Sequence, residues 1–178
     1  MIDTYLKMMD SVRGAPPPGY KYASLEGLVL AEGRDFVSSP LTPEQHKYVR
    51  EVIARDDSRY PWKACFSTAQ RIVVMADFER RLSYIEGWAQ GALIPVHHGW
   101  IALDGERVID LTWRTTGLQK VRRKLEATRI FGEFPKGWAY RGINVADRET
   151  IVRRAVQYRE WASILDNWRE GYPLLRVA

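Results

Sequence analysis

The sequence has one cysteine in 178 residues, Cys65. That excludes an internal disulfide framework and any multi-thiolate metal site. There are three histidines, His46, His97 and His98. They do not fall at a His-x3-His spacing, and a zinc site wants three or four convergent ligands. There is no glycine-rich phosphate loop of the GxxxxGK[ST] kind. No metal and no organic cofactor are therefore expected. No apolar run approaches the roughly 18–20 residues of a bilayer span. The first residues carry an acid, Asp3, and no apolar stretch, unlike a secretory signal. A cytoplasmic location is the expectation. Glycine (13) and proline (9) stand at ordinary levels, so a fibrous or low-complexity chain is excluded.

What is present is the balance of a folded chain, with 46% hydrophobic and 28% charged residues. The length suits one domain spanning 1–178. Residues 1–19 read as an N-terminal arm, a short helix over 2–12, followed by a stiff connector at Pro16-Pro17-Pro18-Gly19. The net charge of +5 is uneven: residues 119–178 hold 13 Lys or Arg against 7 Asp or Glu. Lys120, Arg122, Arg123, Lys124 and Arg129 form the densest cluster, either a solvated face or a surface for nucleic acid or another polyanion. No aromatic residue is interleaved in it to stack on bases.

Residues 20–41 read as extended and turn structure. Thr42-Pro43-Glu44-Gln45 has capping-box spacing with proline at the first helical position, predicting a helix from 43 to about 55. Cys65, Ala69, Ile72, Val73 and Ala76 repeat at helical spacing and predict a second helix from about 64 to 76. Strand character follows over 82–90, 93–102 and 106–113, with Leu103-Asp104-Gly105 as a hairpin signal between the last two. Residues 117–130 read as helical or irregular, and 137–145 as a further strand. A long helix capped by Asp147 and running to about Arg169 closes the chain, with Ile151, Ala155, Tyr158, Ala162 and Leu165 as its core stripe. The fold class is α+β: a helical N-terminal half packed on an antiparallel sheet, closed by a long C-terminal helix.

Cys65 falls at a predicted helix start, where unpaired N–H groups and the macrodipole favour a thiolate. A nucleophilic cysteine also needs a base, and the base an orienting group. The hairpin supplies both if its register is right. A three-residue loop with a type I turn and Gly105 left-handed pairs Ala102 with Glu106, and so His98 with Asp110, on one face with Cβ atoms ~5 Å apart. A two-residue turn would place them on opposite faces. His97 points away from that face. The bland alternatives are a buried structural thiol, a core histidine and a turn-capping aspartate.

A cysteine at a helix start, His98-Gly99-Trp100, and Asp110-Leu111-Thr112 twelve residues after the histidine resemble the core of the transglutaminase-like, papain-like cysteine enzyme superfamily. The resemblance covers roughly residues 60–113, including Tyr84-Ile85-Glu86-Gly87, and continues weakly to Tyr140-Arg141-Gly142-Ile143. It implies Cys65 as nucleophile, His98 as base and Asp110 as its orienter. It implies acyl transfer through a thioester, first of all hydrolysis of a peptide or other amide, and second, transfer to an amine. No side chain stands out as the oxyanion donor. The Cys65 N–H supplies one candidate, and Trp62, Gln45 or Tyr60 the other. Glu86 is a candidate substrate contact or an exposed surface residue. Trp88, Trp100 and Trp113 line a cleft or pack the core. Such a small enzyme suits a bacterium or a phage. The rival expectation is a non-catalytic module of the same fold that docks its basic C-terminal surface on nucleic acid or an acidic protein.

Overall fold

The computed structural model describes residues 2–56, 64–76, 81–91, 94–114 and 127–177. Among them are five α-helices: α1 (Ile2–Ser11), α2 (Leu25–Glu32), α3 (Pro43–Ala54), α4 (Cys65–Met75) and α5 (Arg148–Tyr158). The strands are β1 (Arg34–Phe36), β2 (Leu82–Gln90), β3 (Val96–Leu103), β4 (Arg107–Arg114), β5 (Ala127–Phe131) and β6 (Ala139–Ala146). They form one antiparallel sheet in the order β1-β6-β2-β3-β4-β5. The α+β class follows from this arrangement. Among the described residues, no helix is long and apolar enough to cross a membrane.

The start signals read from the sequence act as such. Thr42 Oγ1 accepts from Gln45 N at 3.2 Å, and Gln45 Oε1 accepts from Thr42 N at 2.9 Å, a complete capping box for α3. Asp147 Oδ1 accepts from Thr150 N at 2.8 Å at the start of α5. The face of α4 carrying Ala69, Ile72 and Val73 packs on Tyr84, Ile101 and Leu103 of the sheet, with Val49 and Val52 of α3 beside it.

The sheet curls. Ser39 N, beyond β1, donates to Gly132 O, beyond β5, at 3.2 Å, so the chain at the two edges meets. The inside of the curl is therefore buried without a covering helix, and aromatic rings fill it. Trp100 lies edge-on to Phe36 at 5.5 Å and to Tyr140 at 5.3 Å. Ile85, Ala102, Val108 and Ile130 complete this inner core.

Four expectations are corrected. Residues 20–41 are not all extended, because α2 forms there with Ser24 Oγ accepting from Gly27 N at 2.8 Å. Its apolar residues Leu28, Val29 and Leu30 are consecutive, so the sequence shows no helical period. Packing against α1 and the sheet supplies the stabilisation instead. Second, the first helix is not an arm: Ile2 and Leu6 are buried against Leu28, Val29, Trp88 and Leu165. Third, the region 117–130 yields β5 at its end, while residues 115–126 lie outside the described residues.

The fourth correction concerns the C-terminus. Helix α5 stops at Tyr158, with Arg159 left-handed at φ 54°, instead of running to Arg169. The following strap is diverted by a buried carboxylate. Glu86, with no exposed surface, accepts from Ser163 Oγ at 2.5 Å, Ile164 N at 2.6 Å and Leu165 N at 3.2 Å. It also accepts from Tyr84 Oη at 2.6 Å. Those backbone donors would be consumed inside a continuing helix, and a desolvated carboxylate binds them more strongly than a carbonyl does. Glu86→Ala would leave these donors without an acceptor, at an expected cost of about 3–5 kcal/mol in urea unfolding. A loss below about 1 kcal/mol would mean that Ile164 and Leu165 hold the strap by apolar packing alone.

Candidate active site

The hairpin between β3 and β4 sets the site, and its register differs from the expected one. Asp104 and Gly105 both have positive φ (50° and 75°), and pairing resumes at Leu103↔Arg107, Ala102↔Val108 and Ile101↔Ile109. The pairs are therefore displaced by two residues from Ala102↔Glu106. An even displacement preserves the face, because side chains alternate with period two. His98 and Asp110 remain on one face, as diagonal neighbours. Their contact is close: His98 Nε2 lies 2.6 Å from Asp110 Oδ2.

Cys65 comes from the other side of the sheet, on α4. Two features allow the meeting. The β3–β4 ladder is paired only from Leu103 to Ile101 on the β3 side, although both strands are eight residues long. Beside Cys65, Thr68 and Ala69, a small cavity is lined by residues 99–101 and 109–112 of these two strands. Gly99 provides the second feature. A Cβ at this position would stand 2.8 Å from Phe66 Cδ1, 3.2 Å from Tyr84 Oη and 3.3 Å from Phe66 Cα. The first turn of α4 rests on bare backbone, which brings the thiol within hydrogen-bonding reach of His98 and of the Gly99 backbone.

The electrostatics form one chain. Burial resists charge on Asp110, but His98, the Thr112 N–H and the Tyr140 hydroxyl outweigh it and hold the carboxyl pKa below its usual value. Thr112 donates from N at 3.0 Å and from Oγ1 at 3.2 Å to Oδ1, and Tyr140 Oη donates to Oδ2 at 3.1 Å. Burial likewise opposes charge on His98, yet the Asp110 carboxylate and the Cys65 thiol push its pKa up to about 10. For Cys65, burial pushes the thiol up, while His98 and the Gly99 N–H bring it below the ordinary thiol value. With Nε2 committed to Asp110, His98 turns Nδ1 to the sulfur. An imidazole so placed favours the thiolate–imidazolium pair.

Aromatic rings fix the imidazole plane. Trp100 stacks on it at 6.4 Å, and Trp113 meets it edge-on at 4.9 Å. Sequence reasoning gave Tyr140 and Thr112 no role at the site, and Trp113 only that of lining a cleft or packing the core. The Asp-x-Thr spacing was the available signal for Thr112, since a threonine two residues on can bond back to the aspartate.

The remaining candidates fall elsewhere. Gln45 spends Oε1 on the α3 cap and Nε2 on Asp104 Oδ2 at 3.0 Å. That is the hairpin tip, six strand residues or about 20 Å from His98, so Gln45 is no oxyanion donor. Glu86 is neither a substrate contact nor exposed, since four donors hold it behind the strap. Trp100 is fully buried inside the curl, and Trp88 is buried against α1 and α2 and stacks on His97 at 5.2 Å. Tyr60, Trp62, Lys120, Arg122, Arg123 and Lys124 lie outside the described residues, whereas Arg129 is exposed on β5.

The geometry generates a test of Gly99. In Gly99→Ala, α4 must shift by a few tenths of an ångström, which loosens the Cys65–His98 contact. Alkylation of Cys65 at neutral pH should fall roughly tenfold while the far-UV spectrum is kept; unchanged alkylation would show that the close approach does not set the thiol. Compared with protein-family models, curated proteins and solved structures, the chain matches none.

Proposed function

We propose that the protein is a cysteine-dependent acyl-transfer enzyme of transglutaminase-like, papain-like character, hydrolysing a peptide or other amide bond through a thioester at Cys65. The observation that carries this reading is the His98 imidazole, bonded to Asp110 at 2.6 Å on one side and to the Cys65 thiol on the other. In this reading the Cys65 thiolate attacks the carbonyl carbon, and a tetrahedral oxyanion forms. The N–H of Cys65, at the start of α4, has no partner within the helix and faces the developing charge. His98 protonates the departing amine as the C–N bond breaks. It then takes a proton from water, whose oxygen attacks the thioester and releases the acid and the thiol. Asp110 keeps the imidazole in one tautomer and stabilises its cation. One reactive, unpaired thiol suits a reducing compartment, and we place the protein in the cytoplasm.

The pKa directions give the pH dependence. Cys65 is lowered and His98 raised, so the ion pair exists from below the ordinary thiol pKa up to about 10. Iodoacetamide should therefore label native Cys65 with a midpoint below the pH ~8.5 of a free thiol. His98→Ala should return the midpoint to that value. Against an amide substrate, activity should rise as the thiol ionises and fall as His98 loses its proton near pH 10. His98→Ala should abolish turnover, and Asp110→Asn should reduce it by about 10²–10⁴-fold, as expected when an orienting carboxylate is lost. Full activity in His98→Ala would overturn the triad. An unperturbed thiol together with salt-sensitive binding of nucleic acid would favour the non-catalytic module.

A further inference from the structure

Two buried polar side-chain atoms beside the nucleophile have no hydrogen-bond partner among the described residues: Thr68 Oγ1 and Trp100 Nε1. Both residues are essentially without exposed surface. A polar group shut away from water is normally bonded, since leaving it unmade costs its full desolvation. Thr68 lies one helical turn after Cys65 on α4, so the two side chains share a face. Thr68, Trp100, Cys65 and Asp110 line the same cavity, where the two strands part. The cavity leaves about 10 Å³ to the centre of a water molecule, room for one buried water, which itself fills about 10–15 Å³. It is too small for any substrate group.

We propose that this cavity is a binding site for a single ordered water that accepts from Trp100 Nε1 and donates to Thr68 Oγ1 and to the Cys65 sulfur. The assignment balances. An indole N–H only donates and needs an acceptor, a water has two protons to give, and a hydroxyl and a thiolate both accept. Three partners is also the usual number for a buried water. Asp110 needs nothing from this water, because His98, Thr112 and Tyr140 already hold its oxygens. A donor held against the sulfur stabilises the thiolate over the thiol. Thr68 is then a positioning residue that acts on the nucleophile through the water. The role assigned to the water rests on Cys65 being the nucleophile, whereas the site itself does not.

The test compares wild type, Thr68→Val and Thr68→Ser. Valine keeps the shape of threonine and lacks the hydroxyl, and serine keeps the hydroxyl. A crystal structure of the wild type should show one ordered water within hydrogen-bonding distance of Thr68 Oγ1 and Trp100 Nε1, and Thr68→Val should lose it. The pH midpoint of iodoacetamide labelling should rise by roughly one unit in Thr68→Val, a tenfold fall in thiolate at acidic pH, and stay at the wild-type value in Thr68→Ser. A dry cavity in the wild type overturns the site. A water present with an unchanged midpoint in Thr68→Val overturns its role at the sulfur. A wild-type thiol that labels like a free cysteine overturns the acyl-transfer reading, and the crystal structures still decide the site.

Discussion

The arrangement depends on a carboxylate that has lost its water. Asp110 is 2% exposed, and an isolated buried carboxylate would protonate before it would stay charged. Donors from four sources prevent that: the Nε2 of His98, the N–H and hydroxyl of Thr112, and the hydroxyl of Tyr140. These groups come from β3, β4 and β6, strands that only a curled sheet brings around one point. The fold thus supplies an anion that a flat sheet of the same strands could not keep. The charge on Asp110 in turn makes a cationic His98 tolerable, and a cationic His98 makes a thiolate at Cys65 tolerable. Each member is unfavourable alone in a dry site, and each is stabilised by the next.

A second buried carboxylate does structural work on the other side of the same strands. Glu86 gathers Tyr84, Ser163 and two backbone N–H groups, and ties the strap after α5 to the sheet. Tyr84 continues the chain, accepting from Gln70 Nε2 at 3.0 Å, and Gln70 also donates to Ala162 O at 2.7 Å. Gln70 stands on α4 five residues after Cys65. The strap, the sheet and the nucleophile helix are therefore fastened at one place, and the roll of α4 is set before its first turn reaches Gly99. Arg71, next on the helix, pairs with Asp56 beyond α3 at 3.3 Å. Polar ties of this kind contribute less to net stability than to a single arrangement of the helix, and the site requires a single arrangement.

The coupled pair also ties stability to the pH range in which the chemistry works. The pKa of His98 is higher in the folded chain than in an unfolded one, so its contribution is fully present below the unfolded histidine value. It is lost as pH rises through about 10. Asp110 is lower in the folded chain, so its contribution is present above the unfolded carboxyl value and is lost as pH falls through the folded one. Near neutral pH the two contributions overlap. Where the imidazolium and the carboxylate coexist, the protein gains stability and the thiol is activated, and the same ion pair causes both.

What the sequence revealed depended on whether the signal was local. The capping box at Thr42 and Gln45, the N-cap at Asp147 and the helical spacing from Cys65 to Ala76 are interactions within a few residues, and all three were legible. The strap was not, because α5 ends in response to Glu86, which lies about eighty positions earlier and becomes an acceptor only once buried. Helix α2 was hidden for a related reason: its stability comes from neighbours on several sides. The hairpin is the instructive case. Turn chemistry did not fix the register, since Asp104 takes a left-handed conformation that aspartate tolerates better than most residues. The face was nonetheless kept, because the observed pairs are displaced from the expected ones by two residues, whereas the two-residue turn would have put His98 and Asp110 on opposite sides. Across an antiparallel ladder, any even displacement leaves them on the same side. Parity survives a two-residue slip that register does not, and the partnership of a histidine with an aspartate twelve residues on therefore rests on the hairpin loop holding an odd number of residues.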